Sequence, residues 1–269
     1  MFSGKHTTLN IFSTPNTFSL KHLAEKILMP IFHEVKLIHV HNPRCGGTSI
    51  NEAILKSLGL PLSTFSPQKV SYHYLYGNHK TSSNFYELDH LCFALIQDAT
   101  PSWVLEDYNS FVVVRHPWDR FVSEYTRKVA TNCKRFINPL GKTFETYCQD
   151  FIQKANRKYS ESDPYNFKGV NHFNGCHFLP QYIYAGLESP SNTTKPLIID
   201  IKEISQKLPP LFDNLSNKVA SELKKLRNSH KQKIPDETKH QIDTINPTIR
   251  KAVEDFYHLD YQLLGYKKL

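Results

Sequence analysis

Residues 39–50 read HVHNPRCGGTSI. Gly46 and Gly47 adjoin a cation, Arg44, on one side and two hydroxyls, Thr48 and Ser49, on the other. Glycine lets the backbone approach a ligand closely. A helix starting at such a turn leaves its first N–H groups without intrahelical partners, with the helix dipole behind them. The guanidinium of Arg44 is a fixed positive fork that suits phosphate or sulfate oxygens. The segment is therefore either an anion-binding turn or a tight turn with no ligand. It is not a Walker A loop, because GxxxxGK[ST] is absent and no lysine follows the glycines. It is not a cysteine-phosphatase loop either, because Asn51 stands where an arginine would close one. Cys45 is either a thiol of lowered pKa near a helix start or a small packing residue.

A second basic turn follows in FVVVRHPWDRFVSEY, residues 111–125. Arg115 and Ser123 lie across a turn into a helix, so both can face one ligand. Trp118 and Phe121 read as core, and Asp119 and Arg120 as structural partners. Fourteen histidines offer many general bases. His90 is the first candidate and His79 the second; His73, His41, Glu87 and Asp89 are further options. No CxxC and no acidic cluster marks a metal, so none is expected.

The elements that must position these groups are partly readable. VKLIHV (35–40), FVVV (111–114) and PLIIDI (196–201) have the short, β-branched character of buried strands. Ile50, Ala53, Ile54 and Leu58 fall at helical spacing after the glycines, with Thr48 or Ser49 as cap. Trp118, Phe121, Val122, Tyr125 and Val129 fall on another helical face. Thr143 and then Phe144, Tyr147, Cys148, Phe151, Ile152 and Ala155 mark a third helix. HLCFALIQDA (90–99) is ambiguous between helix and strand. Residues 203–227 read as helix, Lys224 to Lys239 as loop, and Asn246-Pro247 as the cap and first turn of a last helix. A short helix near 19–29 is expected within an N-terminal extension, 1–34. Strand, basic turn and helix thus occur twice, and strands alternating with helices predict an α/β fold with a parallel sheet covered on both faces.

The chain has 269 residues, a net charge of +8 and 39% hydrophobic residues, enough for one large α/β domain with a substantial core. The positive surplus points to an anionic ligand, substrate or surface. No nucleic-acid-binding motif stands out. Five cysteines, an odd number, fit a reducing compartment, with Cys133 pairing to Cys148 or Cys176 as the alternative. The apolar run ILMPIF (27–32) is too short to span a membrane. No signal-peptide layout precedes it, so a cytoplasmic, soluble protein is the expectation.

HNPRCGGTSI resembles the phosphosulfate-binding loop of sulfotransferases of the carbohydrate type. FVVVRHPWDRFVSEY resembles the same family's second signature, the 3′-phosphate loop. HFLPQ (177–181), LRNSHK (226–231) and FYHLDYQLLGY (256–266) resemble later family segments, so the likeness runs from about residue 35 to the end. The resemblance implies a three-layer, P-loop nucleotide-kinase-like sulfotransferase domain over 35–269, with 131–180 as an acceptor-side helical insertion. It implies transfer of a sulfuryl group from 3′-phosphoadenosine-5′-phosphosulfate (PAPS) to a hydroxyl, leaving 3′,5′-bisphosphoadenosine (PAP), with no metal. Arg44, Cys45, Gly46, Gly47, Thr48 and Ser49 would hold the phosphosulfate, and Arg115 and Ser123 the 3′-phosphate. Arg44 would act in catalysis with His90 or His79 as base. The acceptor would be an oligosaccharide, polysaccharide or glycolipid. The family's loop usually carries lysine where this chain has Arg44. That departure keeps alive a non-catalytic PAPS- or PAP-binding protein. A nucleotide-dependent phosphotransferase is the other rival; it would need a loop lysine and Mg²⁺-binding acids.

Overall fold

The computed structural model describes residues 31–32, 35–59, 69–71, 85–87, 90–133, 137–158, 176–187, 194–213, 221–222 and 234–268. The expected helix near 19–29, His73, His79, Asp89 and the 226–231 segment lie outside them.

Among these residues, four strands form one sheet: β1 (Ile31–Phe32), β2 (Leu37–Val40), β5 (Asn109–Val114) and β6 (Leu197–Asp200), in the order β1-β2-β5-β6. A separate hairpin-like pair joins β3 (Lys69–Ser71) and β4 (Phe85–Glu87) antiparallel. β2, β5 and β6 run parallel, with His39 opposite Phe111 and Val113 opposite Ile199. β1 is antiparallel: Ile31 and Phe32, read from the sequence as part of the extension, pair with Ile38 and Leu37.

Alternation along the strands explains the layers. Leu37, Phe111, Val113 and Ile199 face one core, shared with Ile50, Ile54 and Leu55 of α1 (Gly47–Leu58). Ile204 of α7 (Ile204–Lys207) and Phe212 of α8 (Pro210–Asp213) complete that core. Ile38, Val40 and Val112 face the other way, against α2 (Phe93–Ala99), α3 (Ser102–Asp107) and α6 (Gln181–Tyr184). The sheet is therefore buried on both faces, which is why its strands read as continuous apolar runs. A third, aromatic core lies beyond it. There α4 (Pro117–Thr131), α5 (Phe144–Lys158) and α10 (Pro247–Phe256) bury Trp118, Phe121, Tyr147, Phe151 and Tyr257. α9 (Asp236–Asp243) packs on α5, and α11 (His258–Leu263) on α6.

Several local expectations are corrected. α1 starts at Gly47, capped by Gly46 in the left-handed region (φ 84°) with no side-chain cap, so neither Thr48 nor Ser49 caps it. The glycine turns the chain into the helix before either hydroxyl is reached. HLCFALIQDA is helical from Phe93. Of the single helix expected over 203–227, residues 214–220 and 223–227 lie outside the described residues; the part up to Asp213 is broken at Pro209-Pro210 into α7 and α8, because proline supplies no N–H and clashes with the preceding turn. The loop expected to Lys239 ends early, since α9 begins at Asp236 with Asp236 and Glu237 complementing its dipole. Asn246 does cap α10: its side chain accepts from the Thr248 N–H at 2.8 Å, with Pro247 in the first turn. No disulfide joins any of the five cysteines. Among the described residues, no helix is long and apolar enough to cross a membrane.

Candidate functional site

Two strand-to-helix corners, β2 into α1 and β5 into α4, stand side by side because β2 and β5 are parallel neighbours in the sheet. In such sheets ligands bind outside the carboxyl ends of the strands. In the first corner Arg44 has φ 68° and Gly46 φ 84°. A left-handed arginine costs roughly 1–2 kcal/mol, so the surroundings must hold it. The Arg44 guanidinium donates from Nη2 to Ser123 Oγ at 3.1 Å and from Nε at 3.3 Å. Residues assigned from the sequence to two different loops therefore touch.

A buried glutamine that sequence reasoning did not single out clamps the corners together. Gln181 Oε1 accepts from the Arg115 N–H at 2.9 Å, from Asn42 Nδ2 at 3.0 Å and from Cys45 Sγ at 3.4 Å. Its Nε2 donates to the Arg115 carbonyl at 2.7 Å. Asn42 Nδ2 also donates to Val113 O at 3.0 Å, stitching β2's exit to β5. Gln181 is in turn held by Asp260 of α11, whose carboxylate accepts the Gln181 and Tyr182 N–H groups at 2.9 and 2.8 Å. Burial raises Asp260 to about 6, although those hydrogen bonds pull against it. Arg120, fully buried, donates to Pro43 O and Leu179 O, both at 2.9 Å. It is structural, as expected, but its partners are these backbone carbonyls rather than Asp119. The HFLPQ segment was the available signal for Gln181.

The thiol of Cys45 is buried and turned inward, toward Pro43 O and Gln181. Burial pushes it up to about 11, which makes it a packing residue and not an activated thiol. Gly47 packs beneath His41: a Cβ there would fall within the His41 ring. Thr48 is exposed and Ser49 half-buried, at the first turn of α1, where the N–H groups have no side-chain cap. Among the described residues, the Arg115 guanidinium makes no hydrogen bond or ion pair, while its charge still lowers the pKa of Arg44 after burial has done so.

Beside the corners lies a polar chain. Glu124, with a side chain 1% exposed, accepts from Arg127 at 2.7 and 2.9 Å and from His177 Nδ1 at 2.9 Å, with Arg44 Nε at 3.8 Å. Burial works against the Glu124 carboxylate, yet His177 and Arg127 hold it well below the usual carboxylate range. His177 Nε2 lies 3.2 Å from His90 Nε2. Burial lowers His177 to about 4 against the pull of Glu124, which leaves it neutral at pH 7 with Nδ1–H donating to Glu124. Its Nε2 then accepts the His90 Nε2–H, which leaves Nδ1 as the second ring nitrogen of His90. His41 meets His90 edge-on with centroids 4.8 Å apart, and burial followed by the neighbouring His90 holds it well below 6.5. His39 stacks on Phe111 and bonds Asn51; burial lowers it to about 4. It is a core histidine. Glu124 and His177 lie within the FVVVRHPWDRFVSEY and HFLPQ segments but were not singled out there, because neither segment shows that the two side chains meet.

The arrangement is a cationic mouth with oriented N–H groups, adjoining an imidazole whose tautomer is set by a buried carboxylate. Such a site can stabilise an oxyanion and accept a proton. No curated protein and no solved structure matches the chain. A family model described as the sulfotransferase family matches residues 31–267. That span contains both basic corners, the Gln181 clamp and the Glu124–His177–His90 chain, and the chain accordingly belongs to the sulfotransferase family, whose general chemistry is sulfuryl transfer.

Proposed function

We propose that the protein transfers the sulfuryl group of PAPS to a hydroxyl of a carbohydrate acceptor, an oligosaccharide, polysaccharide or glycolipid. The first corner binds the phosphosulfate through the N–H groups of Gly47, Thr48 and Ser49 and the Arg44 guanidinium. Arg115 and Ser123 bind the 3′-phosphate. The acceptor oxygen attacks sulfur, and its proton passes to Nδ1 of His90. The S–O bond to the 5′-phosphate breaks, and the charge left on that oxygen is met by Arg44 and the helix N-terminus. The His90 imidazolium is stabilised through His177 by Glu124. PAP leaves.

One observation carries this reading: Arg44 reaches Ser123 Oγ at 3.1 Å. Groups for the 5′ and 3′ ends of the nucleotide meet at one edge, as two phosphates hung from a single ribose require. The carbohydrate acceptor rests on the motif resemblance and on a net charge of +8, which suits acidic glycans as well as the donor.

The test combines PAP calorimetry with transfer of radiolabelled sulfate from PAPS to a glycan panel. Wild type is expected to bind PAP and label a glycan, and Arg115→Ala to bind PAP at least tenfold more weakly. Unchanged PAP affinity in Arg115→Ala would remove the 3′-phosphate assignment. PAP binding with no labelled acceptor would favour a binding protein, in which Arg44 has replaced the usual lysine without supporting turnover.

A further inference from the structure

His90, Cys176 and His177 bring one ligand atom each to within 4.8 Å of one another, in a buried-to-half-buried cluster. The two Nε2 atoms are 3.2 Å apart. Two nitrogens bound tetrahedrally at the usual zinc distance of about 2.0–2.1 Å lie about 3.3 Å apart, so the imidazoles are already spaced for one ion. His177 donates from Nδ1 to Glu124 at 2.9 Å, the outer carboxylate that orients a metal-ligating histidine and fixes the lone pair on Nε2. Cys176 opens a 3₁₀ turn, Cys176–Phe178, whose backbone is pinned: the Cys176 carbonyl accepts from Tyr184 Oη at 2.7 Å and from the Leu179 N–H at 3.2 Å. Cys176 is 1% exposed and His90 7%, whereas the His177 side chain retains 21% of its exposure, so an ion has an approach along the histidine edge.

We infer that His90, Cys176 and His177 form a site for a borderline-soft divalent cation of the zinc type. One thiolate and two imidazoles select zinc over magnesium or calcium, which take oxygen ligands. Three protein ligands leave a fourth position open to water. On binding, the Cys176 thiol loses its proton to solvent. The His90 proton moves from Nε2 to Nδ1 so that Nε2 can ligate. The consequence for catalysis rests on the function proposed above: Nδ1 of His90, the atom that would take the acceptor's proton, now carries one. Zinc at this site switches the enzyme off, and its removal restores it.

Cobalt(II) is the probe for binding itself. Titrating the full chain with Co²⁺ under reducing, oxygen-free conditions is expected to give visible d–d bands and a near-ultraviolet thiolate-to-cobalt band. Both should saturate at one equivalent and be bleached by Zn²⁺. Cys176→Ser should lose the thiolate band; Cys133→Ser, at the partly exposed cysteine outside the cluster, should keep it. X-ray absorption of the wild-type zinc complex, which needs no variant, should show one sulfur and two imidazoles. Absence of the thiolate band, its survival in Cys176→Ser, or a zinc shell without sulfur overturns the site. In the transfer assay, Zn²⁺ is expected to suppress wild-type turnover at least tenfold, reversibly with a chelator; undiminished turnover with the zinc site filled refutes the switch. Metal-free protein that shows no transfer counts against the proposed function alone and leaves the cobalt result standing.

Discussion

Replacing Gln181 by leucine tests whether one side chain holds the two corners in register. Leucine is close to glutamine in volume, so the change removes hydrogen bonds without opening a large cavity. Asn42 Nδ2 would keep Val113 O, and Cys45 Sγ would keep Pro43 O. The Arg115 N–H and carbonyl would lose the partners they now have at 2.9 and 2.7 Å. An unsatisfied buried polar group costs about 1–3 kcal/mol. Arg115 is half-buried, so water relieves part of that cost, and two groups near the lower end give about 2 kcal/mol. Apolar burial of the leucine offsets less than about 1 kcal/mol of it, since glutamine's own methylenes are already buried. Urea unfolding at pH 7.5 is expected to show Gln181→Leu destabilised by about 1–2 kcal/mol, and calorimetry to show PAP bound at least tenfold more weakly. A Gln181→Leu protein within about 0.5 kcal/mol of wild type, with unchanged PAP affinity, would mean the clamp does not hold the site.

The adjacent glycines should behave differently. Gly47→Ala drives a methyl into the buried His41 ring and should destabilise by about 1–3 kcal/mol or more in thermal unfolding. Gly46→Ala meets nothing closer than 3.8 Å and should cost only left-handed strain, roughly 1–2 kcal/mol; the reverse order would contradict the packing described. Acid should destabilise the fold through His39, whose folded pKa of about 4 lies below the unfolded 6.5. Between those values the unfolded chain holds a proton that the folded chain does not, so this histidine's contribution falls as pH drops, by about 1.4 kcal/mol per pH unit. Asp260, raised from 3.8 to about 6, works in the opposite sense between those values, because there the folded chain holds the extra proton. Unfolding free energies of His39→Gln between pH 4.5 and 6 should therefore rise with pH less steeply than wild type by about 1.4 kcal/mol per unit; an equal slope would place the acid sensitivity elsewhere.

The local features were legible in the chain because each is encoded within a few residues. β-Branched runs marked β2, β5 and β6, and Asn246-Pro247 marked the start of α10. The Gly-Gly and Arg-His-Pro corners announced themselves by residue types that bend the backbone and present charge. The same locality set the errors. Thr48 and Ser49 are good caps by type, but Gly46 in the left-handed region had already started the helix. What no local pattern carries is which distant groups meet. Gln181 reaches Arg115 across 66 residues, Asp260 reaches Gln181 across 79, and His177 reaches His90 across 87. Those meetings depend on β2 and β5 being placed side by side, and on the C-terminal helices folding back over the strand ends. Sequence determined where a charged turn could form; the order of strands and the packing of α6 against α11 decided that two such turns share one mouth, with a buried carboxylate and two imidazoles behind it. The physical reason is that backbone propensity acts over a turn of helix or strand, whereas a hydrogen bond between side chains exists only once burial has brought its two ends together.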